Sequence, residues 1–275
     1  MRSALGGVAA RAVGLSIGLA IGLSVGGSTA WGQLVLTVDE RAVLVEAAGS
    51  NQAAFPASAF ALFDRDITLS GPTGGGTGHA RAAQNSSVSA TALSAMGMSL
   101  AESQAGPSGC VLSQATSDFR VSFHVTTPVQ YSLSGAVDGA QFRLAESVSG
   151  TVHLVIAPAG TPTPFAFGAV LKPGRQYLLL AQSSQLVSAC DGGQLFGTGT
   201  YELTGSFESL APCPGDLNFD RVVDDVDFQI FLVAYNTLLC PEAPLPCDAD
   251  LNADGFVNDE DFQIFLVGYN ALLCP

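Results

Sequence analysis

Two acidic segments near the C-terminus carry the side chains best suited to bind a metal ion. They span residues 216–227 and 250–261 and repeat with a period of 34 residues. Each offers Asp or Asn oxygens at positions 1, 3, 5, 9 and 12 and a backbone carbonyl at position 7, a donor set that calcium prefers. The donors of the first loop are Asp216, Asn218, Asp220, the carbonyl of Val222, Asp224 and Asp227. Those of the second are Asp250, Asn252, Asp254, the carbonyl of Phe256, Asn258 and Asp261. The pattern predicts two calcium sites.

The two loops differ at positions 6 and 9. Position 6 requires a left-handed backbone, which Gly255 adopts freely. At Arg221 the same conformation costs roughly 1 kcal/mol of conformational free energy. Position 9 is Asp224 in the first loop and Asn258 in the second, so the first loop has one more carboxylate. We expect the second site to be better formed. Without metal the acids repel, so we expect the segment to loosen.

Nearly identical apolar segments follow the loops and predict helices at Asp225–Leu239 and Asp259–Leu273. Apolar residues at helical spacing form one stripe on each helix, which the twin helix can cover. In the first helix this stripe contains Phe228, Phe231, Leu232, Tyr235 and Leu239. A second apolar face comprises Ile230, Val233, Ala234, Ile264, Val267 and Gly268. A unit of about 60 residues has little interior. This face therefore either packs on the twin helix or the rest of the chain, or serves as a docking surface.

The segment from about residue 215 to 275 resembles the dockerin family. The resemblance rests on two loop–helix repeats, at 216–240 and 250–274, with D-x-N-x-D, an Asp at position 12 and no helix entering the loop. It implies two bound calcium ions, a pseudo-two-fold helix pair and attachment to a cohesin-type extracellular protein, often in polysaccharide-degrading assemblies. Positions 10 and 11 depart from the hydroxyl pair common in that family, since they are Asp225-Val226 and Asp259-Glu260. A partner other than a standard cohesin is therefore expected.

Six cysteines predict disulfide bonds, because the count is even and four of them follow the repeat. Zinc is disfavoured, since no His lies beyond His153 and no C-x-x-C occurs. A bond across one helix of about 22 Å would require the chain to fold back. The dockerin resemblance, in which the termini approach each other, implies Cys213–Cys274, with Cys240–Cys247 closing the linker. Cys110–Cys190 is expected in the preceding region.

Residues 1–32 predict a secretory signal peptide. Arg2 and Arg11 precede an uncharged apolar run that ends in small residues, with cleavage after Ala30 or Gly32. An uncleaved membrane anchor is the alternative. The mature chain is expected to be extracellular or at a bacterial cell surface, without a further membrane span.

Charge argues against a nucleic-acid partner. The net charge is −14, and residues 211–275 hold one Arg against twelve Asp and Glu. A phosphate backbone selects basic surfaces, whereas clustered carboxylates require cations.

Residues 33–210 predict a β-sandwich of the jelly-roll or immunoglobulin-like type. Short β-branched or alternating segments recur between turn signals. The predicted segments are Leu34–Val38, Ala42–Glu46, Ile67–Leu69, Ser87–Leu93, Phe119–Val125, Gln130–Leu133, Gln141–Glu146, Thr151–Ile156, Tyr177–Ala181 and Tyr201–Phe207. A boundary near Ala211 separates this domain from the module of residues 211–275. The whole chain is therefore expected to be mainly β with a small all-α calcium-binding module.

No catalytic constellation stands out in residues 33–210. The glycine run 74–78 lacks the residues of a phosphate-binding loop and predicts a flexible loop. The histidines are scattered, and the acidic pairs Asp39/Glu40 and Asp64/Asp66 are interpreted as solvated. We expect a secreted structural or adhesive protein rather than an enzyme. The alternatives are a polysaccharide-degrading glycoside hydrolase and a carbohydrate-binding module, either of which would make a polysaccharide a partner. Scarce aromatic residues argue against the carbohydrate-binding module.

Overall fold

The structure is a computed structural model. It describes residues 34–147, 150–211, 213–237, 247–252, 254–272 and 274. The predicted signal peptide lies outside these residues. None of the helices in the described part of the chain is long and apolar enough to cross a membrane.

The described chain is mainly β, as the sequence predicts, with two antiparallel sheets and two helices. The first sheet has the order β10-β9-β12-β7-β2-β3, and β1 also pairs with β7; the second has the order β11-β8-β13-β6-β5-β4. The strands are β1 (Leu34–Asp39), β2 (Ala42–Ala47), β3 (Ser50–Ala54), β4 (Phe63–Thr73), β5 (Gly76–Val88), β6 (Ala92–Ala105), β7 (Cys110–Val125), β8 (Val129–Asp138), β9 (Ala140–Glu146), β10 (Gly150–Ala157), β11 (Thr163–Leu171), β12 (Gln176–Cys190) and β13 (Gln194–Ser209).

A core of large side chains lies between the sheets at one end. Alternate residues of β7, including Phe119 and Phe123, are buried and pack in one cluster with Tyr201 and Leu203 of β13. Alternation of buried and outward residues is the pattern of a strand with one face on a core. Phe119 and Phe123 are therefore core residues.

Small side chains fill the other end of the interior. The cluster there contains Ala80, Ala82, Ala101 and Ala115. Buried serines lie between the same strands and bond to one another; the Oγ atoms of Ser99 and Ser183 are 2.5 Å apart. Such side chains let the sheets approach closely, and their polar atoms are satisfied inside the protein.

Several strand predictions are wrong, most of them in this small-residue region. The sequence predicts none of β3, β5, β6 and β11, and Ser87–Leu93 spans the turn between β5 and β6. Gly71-Pro72, a dipeptide that predicts a turn between strands, lies within β4. The glycine run is not simply a flexible loop, because Gly76 and Gly78 belong to β5. A Cβ on Gly76 would lie 2.0 Å from the carbonyl oxygen of Gln104, so glycine permits the close approach of β6.

Asp39 is not solvated, contrary to the sequence interpretation. Its carboxylate accepts hydrogen bonds from the Arg41 guanidinium at 2.7 and 2.8 Å, and both side chains are buried. Arg41 also donates to the carbonyl oxygens of Ser86 and Ala61. The ion pair therefore joins β1 and β2 to β5 and to the segment before β4.

The helices of the repeat are α1 (Asp225–Thr237) and α2 (Asp259–Ala271). Helix α2 ends two residues before the predicted Leu273, because Leu272 adopts a left-handed conformation with φ 64°. The predicted end of the first helix, Leu239, lies outside the described residues.

The helices pack through equivalent residues of the two repeats. The buried cluster, with the half-buried side chains packed against it, contains the pairs Leu217/Leu251, Val223/Val257, Phe228/Phe262, Phe231/Phe265 and Tyr235/Tyr269, the first member of each from the first repeat. Leu232 was predicted in this stripe but is 39% exposed. It follows the buried Phe231 by one residue, a rotation of about 100° that turns it away from the core.

Candidate metal centre

The carboxylates at position 12 organise both loops. Asp227 is completely buried. Its Oδ1 accepts the backbone N–H groups of Leu217 and Asn218 at 2.7 and 2.9 Å, and its Oδ2 accepts that of Asp224 at 2.9 Å. The side chain therefore ties the start of the first loop (residues 216–227) to the start of α1.

Asp261 repeats this arrangement in the second loop (residues 250–261). It is also completely buried. Its Oδ1 accepts from Leu251 and Asn252 at 2.7 and 3.0 Å, and its Oδ2 accepts from Asn258 at 2.9 Å. Asn258 caps α2 and forms a capping box with Asp261.

The carboxylates at position 1 bind the middle of each loop. Asp216 accepts the N–H groups of Asp220 and Arg221, both at 3.0 Å, and Asp250 accepts those of Asp254 and Gly255. Burial raises the pKa of Asp216, while hydrogen bonds from backbone N–H groups, Arg221 foremost, oppose that rise. A cation at this carboxylate would favour its charged form.

Side chains at positions 3, 5 and 9 accept the N–H two residues further along the chain. These contacts involve Asn218, Asp220 and Asp224 in the first loop, and Asn252, Asp254 and Asn258 in the second, at 2.7 to 3.0 Å. The two loops therefore share one hydrogen-bond scheme, although their other positions carry different residue types.

Position 6 is left-handed in both loops, as the sequence argument requires. The φ angles are 75° at Arg221 and 92° at Gly255. Phe219, at position 4, also has a positive φ of 67°. The first loop thus holds two side-chain-bearing residues in a conformation that favours glycine.

The donor chemistry fits a hard cation. Asp227 and Asp261 are buried, and no Lys or Arg in the described chain forms an ion pair with either. Oδ1 of each accepts two N–H groups, whereas Oδ2 accepts one and keeps a further lone pair. A buried charge of this kind requires compensation, which backbone donors supply in part and a cation could complete.

The carboxylates of a loop do not converge on one point. Within the described residues, no three acidic side chains of either loop have oxygens within 4.8 Å of one another. Asp220 and Asp254 are exposed. An ion bound by the whole loop would therefore require these exposed side chains to rotate.

One group of potential ligands does have its ligand atoms within 4.8 Å of one another, namely Cys213, Asp216 and Cys274. The two sulfurs are joined to each other at 2.02 Å, so neither is a thiolate ligand. The Sγ of Cys274 lies 3.5 Å from Oδ2 of Asp216, a contact without a hydrogen to donate.

The structure contains two of the three predicted disulfides. Cys110–Cys190 joins directly paired residues at one end of the β7–β12 ladder, and Cys213–Cys274 joins the two ends of the repeat. The third prediction, Cys240–Cys247, involves Cys240, which lies outside the described residues.

Tyrosines at the ends of the helices contact the opposite loops. The hydroxyl of Tyr235 in α1 donates to Oδ1 of Asp259 at 2.5 Å, and that of Tyr269 in α2 donates to Oδ1 of Asp225 at 2.5 Å. The hydrogen bond raises the pKa of each tyrosine, and the nearby carboxylate charge adds to the effect. The sequence analysis missed these bonds, because only packing of the helices brings the residues together.

The predicted docking residues are exposed to different degrees. Val233 and Val267 are 71% and 74% exposed, and Ile230 is 38% exposed. The remaining three, Ala234, Ile264 and Gly268, are half-buried. Gly268 is closely packed, because a Cβ there would lie 2.1 Å from the carbonyl oxygen of Pro214.

The histidines of the β domain do not form a metal site within the described residues. His153 contacts the Tyr131 hydroxyl at 2.6 Å through Nε2 and stacks on Phe167 with ring centroids 4.0 Å apart. Burial lowers the pKa of His153. His124 lies on the other face of its sheet, because its neighbours Phe123 and Val125 point into the core.

A cavity of about 570 Å³ lies on the second sheet and includes four acidic side chains, Asp64, Asp66, Asp138 and Glu202. Asp66 pairs with Arg81 at 2.6 Å, and this hydrogen bond lowers its pKa, the opposite of what a general acid needs. Oδ1 of Asp138 accepts the N–H groups of Gly160 and Thr161. Two of the four carboxylates are therefore already engaged.

No protein-family model matches the chain, and no curated protein matches it. Among solved structures, a GH31 alpha-xylosidase from Xanthomonas citri shares 9% identity with a TM-score of 0.20, over 76% of this chain and 33% of the enzyme. The chain thus spans about a third of that enzyme's length. A similarity this weak says nothing about fold or function.

Proposed function

We propose that the chain is a secreted structural or adhesive protein, and that residues 211–275 form a dockerin-like module that binds two calcium ions and docks to another extracellular protein. The observation that supports it best is the duplicated hydrogen-bond scheme around Asp227 and Asp261, two buried carboxylates without a cationic side chain. One such loop could be an acidic turn. Two loops with the same donors at the same positions favour a common ligand.

Oxygen ligands would come from positions 1, 3, 5, 7, 9 and 12 of each loop. Calcium accepts six to eight oxygens in flexible geometry, which suits loops whose exposed carboxylates must rotate inward. The ion would supply the positive charge that the buried carboxylates lack. Binding and ordering of the module would then share one free energy.

Calorimetric titration of the full chain with calcium tests the metal proposal. We expect two ions to bind the wild-type chain, and Asp216→Ala with Asp250→Ala to abolish binding, because each removes the position-1 oxygens. Glu202→Gln, which alters an exposed carboxylate of the β domain, should bind two ions as before. Loss of binding in that control, or unchanged binding in the double variant, would contradict the proposal.

Docking is proposed at the apolar face of the two helices. Val233 and Val267 project from equivalent places in α1 and α2. Position 10 of each loop is not free to contact a partner as it is in a standard dockerin. The carboxylates there, Asp225 and Asp259, already accept hydrogen bonds from tyrosines of the same module. A partner should therefore recognise mainly the apolar residues, whether it is cohesin-like or another extracellular protein.

In this proposal the β domain is the part of the protein that the dockerin-like module attaches to the partner. Its cavity does not present a free pair of carboxylates with an evident acid, because Asp66 and Asp138 already have partners. We therefore place adhesion or scaffolding ahead of polysaccharide hydrolysis.

A further inference from the structure

We propose that Tyr235 and Tyr269 are crossed positioning residues, each holding the ligands of the calcium loop in the other repeat, so that filling one loop raises the affinity of the other. The inference rests on the proposed calcium sites. In this inference, two tyrosines that lie outside both loops influence calcium affinity, and they couple the two sites.

The crossing follows from the positions of the partners. Tyr235 lies in α1, after the first loop, but its hydroxyl donates to Asp259 of the second repeat at 2.5 Å. Tyr269 lies in α2, after the second loop, but donates to Asp225 of the first repeat at 2.5 Å. Each tyrosine is therefore remote in sequence from the loop that it contacts.

Each acceptor stands between two proposed ligands. Asp259 follows Asn258 at position 9 and precedes Asp261 at position 12 by two residues. Asn258 accepts the N–H of Glu260 at 2.7 Å, and Asp261 accepts that of Asn258 at 2.9 Å. The first turn of α2 is thus one hydrogen-bonded unit, and a bond that holds Asp259 also holds the ligands on either side.

The first repeat has the same unit. Asp224 accepts the N–H of Val226 at 2.8 Å, and Asp227 accepts that of Asp224 at 2.9 Å. Asp225 lies between them and accepts the hydroxyl of Tyr269.

The aromatic core of the module fixes the tyrosine rings. The ring of Tyr235 lies 5.8 Å from that of Phe231, and the ring of Tyr269 lies 5.7 Å from that of Phe265. Each hydroxyl reaches a carboxylate, so the bond is charge-assisted and stronger than a neutral one. Each ring packs against a phenylalanine of its own helix, whereas the acceptor belongs to the other helix, so the bond forms only when the two helices pack.

This arrangement couples the loops. Calcium in the first loop would order the first turn of α1, including Asp225, and so favour the helix packing that places Tyr235 on Asp259. The second loop would then be held in its binding arrangement before its own ion arrives. Thermodynamic linkage requires the reverse effect to be equal. Loss of one hydrogen bond predicts a three- to tenfold loss of affinity, about the range of such a bond.

Calcium titrations of the full chain, followed by NMR, can resolve the two sites. The N–H of Arg221 donates to Asp216 in the first loop, and the N–H of Gly255 donates to Asp250 in the second, so each reports on one loop. We expect Tyr235→Phe to shift the midpoint at Gly255 about three- to tenfold more than at Arg221. Tyr269→Phe should give the opposite pattern.

Matched variants separate positioning from general destabilisation. Both substitutions keep the ring, and Tyr201→Phe removes a hydroxyl bonded to Ser117 in the β domain, so it should shift neither midpoint. Asp259→Ala, which removes the acceptor of the Tyr235 hydroxyl, should reproduce the Tyr235→Phe pattern and add little to it. Equal shifts at both loops, or none, in the two tyrosine variants would overturn the crossed positioning alone. Asp216→Ala, which disables the first loop, should weaken calcium binding at Gly255, and an unchanged midpoint there would overturn the coupling alone. A wild-type chain without calcium-dependent shifts would overturn the proposed function and the coupling with it.

Discussion

Asp118 shows how a single side chain on the outer face of a sheet can oppose stability. Its Oδ1 is buried without a hydrogen-bond partner, and its Oδ2 lies 3.3 Å from Nη2 of Arg120. Burial raises the pKa of Asp118 to about 6; Arg120 opposes the rise and Glu40 adds to it. The folded chain therefore keeps a proton on this group at a pH where the unfolded chain has released it.

The sign of the resulting pH dependence follows from proton uptake. Between pH about 4 and about 6 the folded state binds more protons, so this group lowers stability as pH rises through that window. We expect the wild-type chain to lose on the order of 2 kcal/mol relative to Asp118→Asn between pH 4 and pH 8. Urea unfolding of both chains at the two pH values measures the difference. Asp64→Asn, at an exposed carboxylate, serves as control, and parallel profiles for wild type and Asp118→Asn would contradict the expectation.

At the scale of elements, the two helices are near copies that pack in different surroundings. Besides Val226/Glu260 in the first turn and Thr237/Ala271 at the end, they differ only where α1 has Ala234 and α2 has Gly268. In α2 the backbone of Pro214 crosses that position, and a Cβ would lie 2.1 Å from its carbonyl oxygen. The adjacent Cys213–Cys274 bond holds this chain segment near the end of α2. The glycine is thus explained by packing.

Gly268→Ala should therefore destabilise the module. Alanine in a helix interior ordinarily gains about 1 kcal/mol over glycine, but the clash with a backbone atom should cost about 1–3 kcal/mol and outweigh that gain. Ala234→Gly, the matched change in α1, should cost about 1 kcal/mol through propensity alone. Thermal unfolding followed by helical circular dichroism compares the two. A more stable Gly268→Ala chain would show that Pro214 can move away.

At the scale of the whole molecule, the first loop faces the β domain. Nζ of Lys172, in the turn between β11 and β12, lies 4.9 Å from the ring centroid of Phe219. Nη1 of Arg221 donates to the carbonyl oxygen of Ala211 at 3.3 Å. One side of the first loop is thus covered by the body of the chain, whereas Val233 and Val267 remain open to solvent.

Docking should depend on that open face and on calcium. The full chain can serve as bait, with calcium, in culture medium of the source organism, and we expect it to retain an extracellular protein. Val233→Asp with Val267→Asp should abolish retention, because the changes place charges in an apolar contact. Leu154→Asp, on an exposed position of β10, is the matched control. Retention that persists in the double variant or in excess chelator would contradict docking at this face.

The sequence alone determined the parts of this protein whose residue types are demanding. Oxygen donors at fixed spacing mark the two loops, helical spacing marks α1 and α2, and large alternating residues mark strands such as β7 and β13. The positive φ at position 6 also follows from the loop pattern, since both Arg221 and Gly255 adopt it. These features are local, so the residues within one segment suffice to predict them.

Only the tertiary structure decided the features that depend on neighbours remote in the sequence. Strands β5 and β6 are rich in Ala, Ser and Gly, which give little hydrophobic alternation; they become strands because adjacent strands and the facing sheet pack closely on them. Asp39 is buried because Arg41 compensates its charge. The bonds of Tyr235 and Tyr269 join opposite repeats and exist only after the helices pair. Small side chains and remote partners leave a weak local pattern, so packing alone determines where they lie.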